Sequence, residues 1–199
     1  MYALAINGSP RKGGNTEILL KKVLAQLEDQ GWETELEQVG GTPIRGCIAC
    51  NKCLLGETSG CAIKSDSFNE IFNKMLKADA IIAGSPTYFA SMSADLKALL
   101  ERAGLVAIAQ NKAFAGKIGA AVVAVRRGGS INAFDSINHM FQMSQMIIPG
   151  STYWNIGFGL DKGEVSGDEE AMVNMQQLAK AIDWLGKGFK ANSTPYPKV

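Results

Sequence analysis

The chain has 199 residues, of which 46% are hydrophobic and 20% charged, and its formal net charge is +1. That size allows one domain with a full core, and the balance is ordinary for a soluble globular protein. A near-neutral chain with no basic run longer than a pair, such as Lys21-Lys22 and Arg126-Arg127, gives no reason to expect a nucleic-acid partner. No window approaches the ~18 apolar residues of a membrane span. The opening MYALAING has neither the basic flank nor the small-residue cleavage site of a signal peptide. The expectation is a cytoplasmic protein without a membrane partner, whose first residues form a strand.

Apolar periodicity then alternates between two and about 3.6 residues. Tyr2 to Ile6 reads as a buried strand. From Thr16 to Gln30, Leu19, Val23 and Leu27 recur every four residues, Leu20 and Leu24 widen the stripe, and Gly31 suits a helix end. WETELEQV alternates more weakly, as an outer strand does. A glycine- and cysteine-rich loop follows, Gly40 to Lys64, and then Ser67 and Glu70 in a capping-box pattern ahead of Phe68, Ile71, Phe72, Met75 and Leu76. ADAIIAGSP is a short buried strand, a helix from about Ser93 carries Leu96, Leu99 and Leu100, and KIGAAVVAV is another buried strand closed by RRGGS. Ile131, Phe134, Ile137 and Phe141 mark a fourth helix, MIIPG reads as the fifth strand, and Asp168 to Leu185 as a last helix with acidic residues at its start. Five strands alternating with five helices imply α/β architecture, a doubly wound parallel sheet covered on both faces. We expect a single domain over residues 1–190, with a cysteine-rich loop at 40–66 and a C-terminal tail at 191–199.

In such a sheet ligands collect beyond the carboxyl ends of the strands, so the loops after strands one, three and four carry the chemistry. The first, NGSPRKGGNT, leads into a helix near Asn15 whose free N–H groups and dipole suit an anion. Ser9 and Thr16 add hydroxyls, Asn15 an amide, and Arg11 a guanidinium able to grip phosphate bidentately. A nucleotide-triphosphate loop needs Gly-Lys-Ser/Thr at the helix entry, whereas this chain has Gly13-Gly14-Asn15; a dinucleotide fingerprint fails because Ser9 and Pro10 follow Gly8. A plain glycine turn with a threonine cap is the simpler alternative.

The second loop, GSPTYFASMS, sets the rigid turn Ser85-Pro86-Thr87 before two aromatics, Tyr88 and Phe89. A flat ring such as isoalloxazine needs backbone donors for its pyrimidine edge and an aromatic wall beside it; alternatively the two rings only cover the sheet end. In the third, VRRGGSINAF, Gly128 and Gly129 let backbone approach a ring, and Arg126 and Arg127 favour a reduced flavin's charge or a pyridine nucleotide's phosphate. A solvated basic turn is the alternative.

All four cysteines fall in CIACNKCLLGETSGC, spaced C-x2-C-x2-C-x7-C. Two-residue gaps repeated twice let three thiolates converge from one turn, as in ferredoxin-type [4Fe–4S] sites, which take a fourth ligand from elsewhere. Zinc more often uses two separated C-x2-C knuckles, and disulfides or free thiols are the remaining readings. His139, the only histidine, lies in the fourth helix and reads as surface or packing. No Ser–His–acid set or paired carboxylates point to hydrolysis, and no protein acid or base is expected to be catalytic.

The three loops together resemble flavodoxin-like flavoproteins, in particular the NADPH-dependent FMN reductases. The family pattern GSxRxxSxT … SPxYxxSxSxxLK … GG corresponds to Gly8–Thr16, Ser85–Lys97 and Gly128-Gly129. The chain departs from it at Gly14-Asn15, where many relatives have serine, and at the variable Arg126-Arg127. With the cysteine motif added, the chain resembles the iron–sulfur flavoproteins, and a last gap of seven sits at the long end for that group. The resemblance implies FMN held by Ser9, Arg11, Asn15, Thr16, Pro86, Thr87, Tyr88, Phe89, Arg127, Gly128 and Gly129, and a [4Fe–4S] cluster on Cys47, Cys50, Cys53 and Cys61. It further implies an FMN-dependent oxidoreductase, with NAD(P)H or ferredoxin as donor, a small-molecule electron acceptor, and a homodimer or homotetramer. Tyr153 and Trp154 would line the flavin or a subunit contact, or pack the core. A reductase without a cluster and a pure electron carrier are the alternatives.

Overall fold

The computed structural model describes residues 1–192 and 194–197. The elements run β1 (Tyr2–Asn7), α1 (Asn15–Glu28), β2 (Glu33–Gln38), α2 (Phe68–Lys77), β3 (Ala80–Pro86), α3 (Ala94–Ala109), β4 (Ile118–Val125), α4 (Ser130–Met143), β5 (Ile156–Phe158), a short 3-10 turn (Glu164–Gly167) and α5 (Glu169–Ala191). All strand pairs are parallel and the five-stranded order is β2-β1-β3-β4-β5, the doubly wound order of flavodoxin-like sheets. Of the expected tail at 191–199, residues 193, 198 and 199 lie outside the described residues. No helix among the described residues is long and apolar enough to cross a membrane.

Strand alternation sorts the core into two layers. Leu4, Ile6, Ile81, Ala83, Ala121 and Val123 pack with α2, α3 and α4. Ala3, Ala5, Ala80, Ile82, Ala120 and Val122 pack with α1 and α5. The second layer is built largely from alanine, which lets its helices approach the sheet. Gly84 extends that approach to the strand end, because a Cβ there would lie 2.6 Å from Leu20 Cδ1 of α1. The edge strand β2 is shielded by charge: Glu35 and Glu37 both bind Lys74, at 2.6 and 2.5 Å.

Two local expectations are corrected. MIIPG is not the fifth strand: Ile147 makes a single parallel bridge to Ile118, and Pro149, without an N–H, cannot continue a ladder. The chain leaves the sheet and returns at Ile156–Phe158, opposite Val123–Val125 at the far end of β4. Nor does the capping box form. Ser67 makes no side-chain cap and sits at φ −73°, ψ 2°; instead Asp66 Oδ1 accepts from the Phe68 N–H at 3.3 Å.

The loop between β2 and α2 is stapled to α3. Arg102, 1% exposed, donates from Nη1 to Asp66 Oδ2 (2.5 Å) and to the Arg45 carbonyl (2.9 Å), and from Nη2 to Asp66 Oδ1 (3.2 Å). Burial pushes the Asp66 carboxyl up, but hydrogen bonds from Arg102 and the Arg45 N–H outweigh it and hold the group below its ordinary value. At the loop's start, Gly40 lies against the turn after β1, and a Cβ there would come within 2.5 Å of the Gly8 carbonyl oxygen.

Gly40→Ala should therefore lower the urea midpoint by an amount equivalent to about 1–3 kcal/mol, the usual penalty of overpacking; an unchanged midpoint would contradict the close approach. Asp66→Asn should destabilise by about 3–5 kcal/mol at neutral pH, since it leaves a buried cation unpaired. A carboxyl with a depressed folded pKa contributes stability above its unfolded value of about 4 and loses it as pH falls through the lower folded value. The deficit of Asp66→Asn should thus shrink below about pH 4, and a deficit that persists undiminished in acid would refute the pairing.

Candidate functional site

The turn after β1 is held by buried amides. Asn7, fully buried, accepts the Ser9 N–H on Oδ1 (3.1 Å) and donates to Gln38 Oε1 (2.8 Å). Gln38 Nε2 in turn donates to the carbonyls of Ser9 (2.7 Å) and Gly40 (2.6 Å). Helix α1 starts at Asn15 with Gly14 as an extended, uncapped N-cap. Its first ladder bond is Ile18 N–H to Gly14 O, 3.1 Å, so the N–H groups of Asn15, Thr16 and Glu17 lie outside the ladder. The helix end is a donor nest. One neighbouring donor is already used, the Gly13 N–H on Glu17 Oε2 at 2.5 Å.

That nest opens into a cleft of about 160 Å³ lined by Ser9, Arg11, Asn15, Thr16, Thr87 and Tyr88 from the expected set. Arg126 and Lys162 line it too; with Arg11 they make three cations and no carboxylate, a positive field suited to phosphate. Arg127 is exposed and does not line the cleft, and neither do Pro86, Phe89, Gly128 and Gly129. Lys162 follows the true β5, so the misplaced fifth strand hid it. Asn15 acts partly as a tether, its Oδ1 accepting from Gly163 (2.9 Å) and Val165 (3.4 Å). Arg11 reaches the Leu160 carbonyl at 3.4 Å.

The wall opposite the nest is the turn after β3. The Thr87 N–H binds the Ala124 carbonyl at 2.8 Å, while Thr87 Oγ1 is buried without a hydrogen-bond partner. Tyr88 and Ser91 exchange backbone bonds of 2.9 and 3.1 Å around Phe89 and Ala90, both left-handed at φ +48° and +66°. Non-glycine residues resist that conformation by about 1–2 kcal/mol each, and here it projects Phe89 wholly into solvent. The third loop braces the turn. Asn132 Nδ2 donates to the Ala90 carbonyl at 2.7 Å, and Gly129, at φ +88°, leaves room for Ala90, whose Cα would sit 3.0 Å from a Cβ. Tyr153 and Trp154 lie against each other with ring centroids 4.9 Å apart and planes tilted by 45°, both exposed, beside a neighbouring hollow with Ile131 and Phe158; they do not fill the core. His139 is exposed on α4.

The four cysteines surround one separate cavity of about 220 Å³. All are free thiols, Cys47 and Cys50 exposed, Cys53 and Cys61 half-buried. Left-handed Ala49 (φ +53°) and Asn51 (φ +57°) turn the chain sharply on either side of Cys50. Ile48, Leu54, Leu105 and Val106 add apolar wall. The loop is anchored by Cys47 N–H to Glu101 Oε1 (3.1 Å) and by Cys61 N–H to Asn69 Oδ1 (2.9 Å), with Asn69 Nδ2 returning to the Cys61 and Ile63 carbonyls at 3.2 and 2.9 Å. Among the described residues no three His, Cys, Asp or Glu side chains converge as a chelate for a single ion. The four thiols instead share one largely apolar hollow, spread around its wall.

The NADPH-dependent FMN reductase family matches residues 1–161. An iron–sulfur flavoprotein of Methanocaldococcus jannaschii is 34% identical over 189 residues, covering 92% of this chain and 95% of that protein. An iron–sulfur flavoprotein of Methanosarcina thermophila is 32% identical over 185 residues, covering 92% and 93%. Among solved structures, RosB with a bound formylated riboflavin-phosphate intermediate superposes with TM-score 0.76 at 18% identity over 98% of this chain and 82% of that one, a likeness of fold. The chain belongs to the NADPH-dependent FMN reductase family, and among its relatives there are the iron–sulfur flavoproteins.

Proposed function

We propose that the chain is an FMN-dependent oxidoreductase that also carries a [4Fe–4S] cluster on Cys47, Cys50, Cys53 and Cys61. It would take electrons from NAD(P)H or a reduced ferredoxin, pass them to a small-molecule acceptor, and work as a homodimer or homotetramer. The observation that carries the flavin reading is the buried, unpartnered Thr87 hydroxyl in the wall of a cleft whose other side is a helix N-terminus ringed by three cations. A buried hydroxyl without a partner is costly by about 1–3 kcal/mol, and a polar ring edge would relieve it. FMN would supply the electron-transfer chemistry.

The chain's own residues bind and orient. Ser9, Thr16, Asn15 Nδ2 and the α1 N–H groups would take the phosphate, with Arg11, Arg126 and Lys162 offsetting its charge. Thr87 and the Tyr88 backbone would meet the ring's polar edge, and the exposed Phe89 would shield a face from water; Pro86 fixes the entry to that turn. Gly128 and Gly129 would leave space beside the ring, and Arg127 would act on it only at longer range. For the cluster, the support is the ring of four free thiols around one cavity and the thiolate-rich chemistry such centres need.

Anaerobic purification followed by flavin, iron and acid-labile sulfide assays tests both halves, and NADPH with an acceptor separates an enzyme from an electron carrier: turnover supports the reductase, reduction without turnover the carrier. Arg11→Ala and Thr16→Ala should each weaken FMN binding about tenfold or more, as loss of a charge-assisted bond does; unchanged affinity in both removes the phosphate assignment. Cys50→Ser should lose iron yet keep flavin, and wild-type iron content in that variant would take Cys50 out of the ligand set.

A further inference from the structure

We infer that Arg102 is the charge partner and positioning residue of the iron–sulfur cluster, holding both ends of the cysteine loop and offering Nε–H to the thiolate side of the cavity. The inference rests on the cluster reading above.

A guanidinium has five N–H donors. Arg102 is the largest side chain that the fold buries completely. Its terminal nitrogens serve Asp66 and the Arg45 carbonyl, and its plane lies 4.1 Å from the centroid of the Phe68 ring. Nε is buried and has no partner. Packing does not explain this arrangement, since an ion pair buried at such a site is commonly replaceable by apolar side chains without loss of stability. The surroundings do. Arg102 lines the same cavity as the four cysteines. Burial works against its charge, while the Asp66 carboxylate favours it. Arg45 precedes the first cysteine and Asp66 follows the last, so a single side chain fixes the entry and the exit of the motif. The nearest acidic neighbour on the same helix, Glu101, is already committed to Lys97 (2.9 Å) and to the Cys47 N–H.

A cubane held by four thiolates carries net negative charge, and one-electron reduction adds another unit. A fixed buried cation in the wall of the thiol cavity, with an N–H still free to donate, therefore favours the reduced form and raises the potential. Asp66 opposes it: the carboxylate cancels part of the field that the cluster feels. Removing one member of the pair or the other should move the potential in opposite directions. A purely structural staple would loosen the loop in both cases and move it the same way.

The test is a dithionite titration of the reconstituted holoprotein, read by electron paramagnetic resonance, for wild type, Arg102→Gln, Arg102→Lys and Asp66→Asn. Arg102→Gln should be about tenfold harder to reduce, ~59 mV downward for one electron. Arg102→Lys, which keeps the charge, should stay close to wild type, and Asp66→Asn should move upward. Unchanged potentials, or shifts of one sign in Arg102→Gln and Asp66→Asn, overturn the assignment. Should Arg102→Gln fail to fold, Asp66→Asn decides alone, an unchanged or lowered potential overturning it. Wild-type protein that takes up no iron and sulfide refutes the cluster reading itself, whereas a bound cluster indifferent to both substitutions refutes only the role of Arg102.

Discussion

Each parallel strand of this sheet is followed in the chain by a helix, directly or through a loop as between β2 and α2, so the strand ends and the start of α1 lie toward one edge. The backbone N–H groups at a helix start have no partner inside the helix, and at α1 neither a side-chain cap nor the ladder supplies one. Unpaired donors there persist only because the turn is locked from behind. Asn7 and Gln38, both on strand ends, tie the turn to the chain after β2, and Gly84 lets Leu20 seat α1 against the sheet. A donor nest held in this way would need little further ordering to take an anion.

Helix α3 links that edge to the cysteine loop. Its N-cap Ser93 donates its N–H to Ser85 Oγ at the end of β3, 2.9 Å, beneath the turn that carries Thr87 and Phe89. Nine residues on, about 14 Å along the axis, Arg102 holds the ends of the cysteine loop, with Glu101 fixing Cys47 beside it. Both candidate cofactor positions are therefore referenced to a single rigid element, and a displacement of α3 would register at the turn after β3 and at the thiols together.

Much of this was legible in the residues. Alternation of buried runs and amphipathic stripes locates β1, β3, β4 and all five helices, because each buries a full face and the pattern has no competitor. The cysteine spacing marks its cavity, because two-residue gaps keep Cys47, Cys50 and Cys53 on one short stretch of chain and Cys61 returns to the same hollow. What escaped has physical reasons. MIIPG has the apolar content of a strand, but hydrophobicity does not reveal that Pro149 breaks the ladder and that β4 is long enough to pair with two separate segments. That displacement concealed the loop after β5, and with it Lys162. Adjacent arginines cannot be told apart by composition, and only the backbone direction after Val125 brings Arg126 rather than Arg127 to the cleft. Asn7, Gln38 and Arg102 act through partners far along the chain, a relation that local patterning does not encode.

The central claim is that the helix start and its three cations recognise a phosphate, with the ring lying against the turn after β3. Titration of the flavin-free protein with FMN and with riboflavin, followed by quenching of flavin fluorescence, isolates that phosphate. The account predicts FMN binding at least about 100-fold tighter, ~2.7 kcal/mol, with the gap narrowing as salt is raised. Equal affinity for the two flavins, at any ionic strength, would contradict it.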